Sequence, residues 1–177
     1  MGEIYRYLDT VGDGTGTKNA GGAGTDYSST LTRFMIVPPA TERFVLSRMI
    51  TMVRDSGTFD ADKYGNGLAL SNGITIEKRN AAGQLLDYCD GVPIKNNTGW
   101  AQMCHDKVIH SEGTGNEIMT VRWTFVKGGV PVELDGVNGE FFAATLNDDF
   151  TGLVEQYFFV HGYSYGSEQA RIAADPG

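Results

Sequence analysis

The sequence predicts an all-β protein, an antiparallel, jelly-roll-like β-sandwich with an extended glycine-rich N-terminal arm. Three alternating segments between residues 113 and 163 support this prediction, as do the Gly, Pro, Asn and Asp residues that separate them. In the segment 118–125, Met119, Val121 and Trp123 alternate with polar residues. Because side chains alternate between the two faces of a strand, this pattern is typical of a strand that buries one face.

Eight to ten short strands are expected along the chain. The predicted strands are residues 4–8, 34–37, 43–54, 74–78, 84–88, 104–110, 118–125, 130–134, 140–146 and 156–163. Residues 80–83 predict a hairpin turn between the fourth and fifth strands, with Gly83 in the left-handed conformation. Residues 96–103 predict one or two helical turns, on which Trp100 and Met103 are spaced to face the core.

The chain is expected to contain one folded domain, residues 33–165, between an N-terminal strand with the arm (1–32) and a short tail (166–177). Residues 11–30 carry six glycines and almost no apolar side chain, so this segment cannot fold by itself. Two interpretations remain open: a floppy tail, or an arm that becomes ordered against a neighbouring subunit. The segment lacks the GxxxxGK[ST] pattern of a phosphate-binding loop.

Composition and charge argue against several partners. The formal net charge is −8, and no cluster of Lys and Arg is present that would neutralise phosphates, so nucleic acid is not an expected partner. No apolar segment is long enough to form a membrane helix, and the N-terminus does not resemble a signal peptide, so synthesis in the cytoplasm and no membrane contact are expected. Cys89 and Cys104 are predicted to be reduced and largely buried thiols, with a bridge between the flanking strands as the open alternative.

No catalytic or metal-binding pattern stands out, so neither an enzyme nor a cofactor is expected. The three histidines, His105, His110 and His161, lack the spacing of a metal site. Acidic residues cluster within 55–62 and at 148–149, but neither cluster has the spacing of a calcium-binding EF-hand loop. The GxSxG pattern of a nucleophile elbow is also missing from the sequence.

Two predicted strands are apolar on both faces. In residues 156–163, Tyr157, Phe159 and Tyr163 share one face, whereas Phe158 and Val160 share the other. In residues 43–54, the alternation places Phe44, Leu46, Ile50 and Met52 on one face and Val45, Met49 and Val53 on the other. Either a large core absorbs both faces, or one face contacts another subunit.

Candidate contact residues follow from the arm and from these strands. Those predicted to contact neighbouring subunits are Gly12, Asp13, Thr15, Thr17, Asn19, Asp26, Tyr27, Phe44, Met49, Tyr157, Phe159 and Tyr163. Trp100 lies in a segment rich in Asn and Gly and is the candidate for contact with a glycan ligand.

A series of short motifs resembles a family of small structural proteins of tailed bacteriophages, of the head decoration (cement) or head-fibre type. The motifs are FMIVPP (34–39), RMI (48–50), FDADKYGN (59–66), LSNGI (70–74), DGVPIK (90–95), VRWTF (121–125) and LNDDFTGL (146–153). The resemblance covers about residues 10 to 165. It implies a multimeric β-sandwich subunit that is mounted on a particle, and it supplies no catalytic residue.

On this resemblance, the expected function is decoration and stabilisation of the capsid, with the major capsid protein as partner and a homotrimer as the assembly. The expected location is the capsid surface of the virion. Two alternatives are a receptor- or glycan-binding module of a tail or fibre, and a head–tail connector or adaptor.

Overall fold

A computed structural model describes residues 4–9, 25–88, 92–103, 106–111, 117–125 and 132–166, and it confirms the all-β fold. Within these ranges, ten antiparallel strands form two sheets that pack face to face as a β-sandwich. The strands occur where the sequence alternates, with boundaries that differ from the predicted ones by one or a few residues.

The larger sheet has six strands and is centred on the long strand β3. Its strands, in spatial order, are β1 (Ile4–Asp9), β10 (Glu155–Gly166), β3 (Glu42–Asp55), β7 (Glu117–Thr124) and β6 (Asp106–Ser111), with β8 (Val132–Asp135) as the sixth. On the edge of β3 opposite β10, the first part of β3 pairs with β8 and the remainder with β7. Every pairing in this sheet is antiparallel.

The smaller sheet has four strands. In spatial order they are β2 (Thr32–Ile36), β9 (Phe141–Leu146), β4 (Thr75–Arg79) and β5 (Leu85–Tyr88). The predicted hairpin joins β4 to β5, and Gly83 adopts the expected left-handed conformation with φ of 76°. The predicted short helix is α1 (Asn97–Met103), which precedes β6.

Aromatic side chains bridge the two sheets in the core. The rings of Phe34 on β2 and Phe158 on β10 lie 4.7 Å apart, and those of Phe125 and Phe142 pack edge to face at 6.0 Å. Such tilted and edge-to-face pairs are the arrangements that aromatic quadrupoles favour. The inward faces of both sheets therefore form one continuous core.

Strand β3 contains a β-bulge, and its side chains are therefore divided between the two faces differently from the prediction. His161 pairs with Arg48 and Gly162 pairs with Leu46, so Ser47 is an extra residue without a direct partner on β10. The extra residue shifts the alternation by one position. As a result, Phe44 and Met49 both point into the core, although simple alternation predicts opposite faces for them.

The residues on either side of the glycine-rich segment are paired within the sandwich. On one side, β1 pairs with β10 along its whole length. On the other, Asp26 forms a bridge with Asp149, and the Tyr27 N–H donates to the carbonyl of Asp148 at 2.9 Å. Residues 10–24, including Gly12, Asp13, Thr15, Thr17 and Asn19, lie outside the described residues, as do Cys89, Cys104 and the tail from 167 to 177.

Candidate interaction surface

Strand β10 is apolar on both faces, as predicted. Phe158 and Val160 are buried in the core, whereas Tyr157 and Phe159 lie on the opposite face of the strand and are half-buried; Tyr157 also packs against the core cluster. The rings of Tyr157 and Phe159 stack with centroids 5.8 Å apart. Tyr163 continues the outward row and is 37% exposed. The second apolar row of β10 therefore lies on the outside of the sandwich.

The strands beside β10 extend this row into a patch. Phe159 pairs directly with Ile50, and Tyr157 pairs with Met52, so their side chains share one face. On the other edge of β3, Arg122 pairs with Ile50. We call this patch the outer face; it consists of Arg48, Ile50, Met52, Arg54, Ile118, Arg122, Tyr157, Phe159 and His161.

Three arginines and a histidine are the polar residues of the outer face. The Arg48 Nε donates a hydrogen bond to the His161 Nδ1 at 2.6 Å, and Arg54 lies 3.6 Å from the carboxylate of Glu155. Partial burial and the positive charge of Arg48 both lower the pKa of His161. The lowered pKa favours the neutral imidazole, whose Nδ1 can accept the hydrogen bond from Arg48. The outer face thus combines aromatic rings with three arginines, of which Arg54 is paired with Glu155.

Three predicted contact residues belong to the core instead. Phe44 and Met49 are buried because the bulge at Ser47 directs both inward. Trp100, the predicted glycan contact, is fully buried. It sits on α1, which packs against the sandwich. The contact role therefore does not fit these three side chains.

Trp100 lies near a second buried aromatic residue. Burial raises the pKa of Tyr64, and the Trp100 side chain opposes this shift by approaching the phenol oxygen. This approach falls short of a well-formed hydrogen bond, since the indole N–H has no acceptor of good geometry. The Tyr64 hydroxyl itself donates to Gln156 at 2.8 Å.

The acidic clusters organise loops. The buried carboxylate of Asp55 accepts the backbone N–H groups of Ser56 and Asn66 at 2.7 and 2.8 Å. Asp148 accepts those of Ser71 and Gly73 at 2.8 and 2.7 Å. In the part of the chain that the structure describes, no group of three or more His, Cys, Asp or Glu side chains is placed to hold a metal ion.

A buried charge also lies on the smaller sheet. Glu77 accepts hydrogen bonds from Arg79 and Thr75, both at 2.6 Å, and from Thr145 at 2.8 Å. Burial alone would raise the pKa of Glu77, but these hydrogen bonds and the charge of Arg79 outweigh it and lower the pKa. The cluster is fully connected and joins β4 to β9, so its role is structural.

A pocket of about 290 Å³ opens at one end of the sandwich. We call it the loop pocket, since Tyr64, residues 67–71 and residues 148–153 line it. Buried Tyr64, Leu70, Phe150 and Leu153 are among its lining, with more exposed residues around them. Sequence reasoning missed it because its two walls are some eighty positions apart and neither carries a recognisable motif.

Comparisons with known proteins add no further assignment: no protein-family model matches the chain, and a search of curated proteins finds no significant match. Among the described residues, no helix is long and apolar enough to span a bilayer.

Proposed function

We propose that this chain is a non-enzymatic structural protein of a tailed-bacteriophage virion, which decorates and stabilises the capsid. Its partner would be the major capsid protein, its assembly a homotrimer and its location the capsid surface. The motif resemblance supports the virion assignment. The outer face is the single structural observation that carries the proposal, because it gives the chain a surface suited to protein contact.

The composition of the outer face supports protein contact over a merely solvated sheet. Aromatic residues, Met and Arg are enriched in the centres of protein interfaces, and this patch contains Tyr157, Phe159, Met52 and three arginines. The rings of Tyr157 and Phe159 stack on each other and have few rotatable bonds, so little side-chain entropy is lost when a partner covers them.

Two outward variants with a matched control test the proposal. We expect Tyr157→Ser with Phe159→Ser to reduce capsid occupancy and self-association about tenfold or more, which corresponds to roughly 1.4 kcal/mol. The control, Leu86→Ser with Val137→Ser, removes exposed apolar side chains that lie on β5 and beyond β8, away from the outer face. Occupancy is measured by mass spectrometry of purified particles, and self-association by light scattering.

The proposal is refuted if the outer-face variant has a native circular dichroism spectrum, the same capsid occupancy and the same assembly mass as the native chain. The copy number per particle separates decoration from the connector alternative, since a shell protein is present in hundreds of copies and a connector in a single ring. The glycan-binding alternative loses its residue, because Trp100 is in the core.

A further inference from the structure

We propose that the loop pocket binds an extended segment of a partner protein, which inserts one aliphatic side chain and carries a Lys or Arg beside it. The inference rests on the pocket alone and holds whether or not the outer face binds a capsid. Three properties of the pocket support it: its apolar floor, the unpaired backbone groups of Ala69 at its rim, and the negative charge around it.

The floor is suited to an aliphatic group. Tyr64, Leu70, Phe150 and Leu153 are each less than 10% exposed and line the pocket, while Leu68 at its rim is 84% exposed. A volume of about 290 Å³ is sufficient for one side chain of leucine size. Leu68 is placed to cover an inserted side chain, which would give this exposed residue an apolar contact.

The rim offers main-chain hydrogen bonds. Residues 68–70 have neither helical nor strand structure, and within the described part of the chain neither the N–H nor the C=O of Ala69 has a hydrogen-bond partner. On either side, the backbone is engaged: the Leu68 carbonyl accepts from Tyr64, and the Leu70 N–H donates to Lys95. An extended segment that lies along Ala69 would satisfy both groups, as in peptide recognition by β-strand addition.

Negative charge at the rim favours a Lys or Arg next to the inserted aliphatic side chain. Asp149 lies at the rim, where one carboxylate oxygen accepts from the Thr151 N–H at 2.9 Å and from its hydroxyl at 2.7 Å. In the described residues, the other oxygen has no partner. Asp148 and Asp26 add negative charge nearby, whereas Lys95, whose ammonium donates to the Ser71 carbonyl, is the nearby base.

The pocket is also preformed, which reduces the cost of binding. The buried carboxylate of Asp148 fixes the opposing loop by accepting hydrogen bonds from the backbone N–H groups of Ser71, Asn72 and Gly73. On the opposite wall, the Leu153 N–H donates to the Phe150 carbonyl at 3.0 Å. Because both walls are held by internal hydrogen bonds, a bound segment does not have to order them.

Three capped tetrapeptides test the proposal on the full chain: acetyl-Gly-Leu-Lys-Gly-amide, the same peptide with Glu for Lys, and the same peptide with Gly for Leu. Binding is followed by NMR of the leucine methyl groups up to about 10 mM peptide. We expect the first peptide to shift the methyl signals of Leu68, Leu70 and Leu153 with a millimolar Kd. We expect the Gly variant to bind about tenfold or more weakly, because the apolar insertion is lost.

The charge assignment has its own variant. Asp149→Asn is expected to weaken the Lys peptide about two- to fivefold and to remove its advantage over the Glu peptide, as for an exposed ion pair. The proposal is overturned if the Lys peptide shifts none of these signals, if the Gly peptide binds equally well, or if the Glu peptide binds the native chain as tightly. Concentration-dependent shifts of the same signals without peptide would also overturn it, since the pocket would then belong to an interface between copies.

Discussion

Replacement of Asp148 by Asn tests how the loop end of the sandwich is held. Asp148 is only 5% exposed, and its two oxygens accept the N–H groups of Ser71, Asn72 and Gly73. Asn is nearly isosteric but replaces one oxygen with an NH₂ group. Whichever way the amide turns, one of the short contacts at 2.7 or 2.8 Å becomes donor against donor.

The expected loss of stability follows from these contacts. A hydrogen bond to a charged acceptor contributes about 1.5 to 3 kcal/mol, and a buried donor without an acceptor costs about 1 to 3 kcal/mol. Because the loop can shift partly to relieve the contact, we expect a total of about 3 kcal/mol, a large share of a typical stability of roughly 5 to 15 kcal/mol. With an m-value of about 2 to 3 kcal/mol per M, the urea midpoint falls by roughly 1 to 1.5 M.

Equilibrium urea unfolding, followed by tryptophan fluorescence and by circular dichroism, measures this effect. The neighbouring substitution Asp149→Asn is the matched control: it removes the same charge one position further, where the side chain is exposed and the amide oxygen can still accept from Thr151. We expect the control to leave the midpoint unchanged. Equal midpoints for the native chain and Asp148→Asn, or equal losses in both variants, would refute the reasoning.

Two further variants probe the bulge. A Cβ at position 162 would overlap the Val45 carbonyl oxygen and approach the Phe44 ring to 2.7 Å. We therefore expect Gly162→Ala to lower the free energy of unfolding, measured in urea, by about 3 kcal/mol. The control Gly152→Ala, which has open space around its Cβ, should be neutral or slightly stabilising. The pKa of His161 is lowered in the folded state, so the unfolded chain takes up the proton first and stability falls as the pH drops below the ordinary value of 6.5. The variant His161→Gln should flatten this fall in stability. An identical pH profile for the native chain and the variant would contradict the assignment.

The strands and the hairpin were predictable because their signals are local. Alternation over a few residues fixes which side chains face inward, and Gly83 marks the turn that requires a left-handed residue. The inward and outward rows of β10 follow directly from its own sequence. These elements need no knowledge of their partners.

The bulge and the burial of Trp100 were not predictable because they depend on other parts of the chain. Ser47 becomes an extra residue only because β10 reaches Gly162 at that point, and nothing in residues 43–54 indicates it. Trp100 has an Asn- and Gly-rich neighbourhood that is typical of exposed loops, yet Asn97, fully bonded to the backbone of the 60–65 loop, anchors α1 against the sandwich.

The outer face could be predicted from local sequence, whereas the loop pocket could not. The aromatic row of the outer face lies within one strand, and the sequence reveals it. The loop pocket requires residues 64–71 and 148–153 to meet, and the contact is made by Asp148 across 75 positions to Gly73. Acidic residues in a turn are common, and their role as acceptors for a distant loop has no local signature.

Because the described residues on both sides of positions 10–24 are paired within the sandwich, this part of the chain is a site for engineered insertion. The entropy of closing a loop grows only with the logarithm of its length, so doubling this connection costs about 0.6 kcal/mol. A foreign peptide inserted between Gly21 and Gly22 would interrupt neither the pairing of β1 with β10 nor the bridge between Asp26 and Asp149. The fold therefore offers an internal position for peptide display.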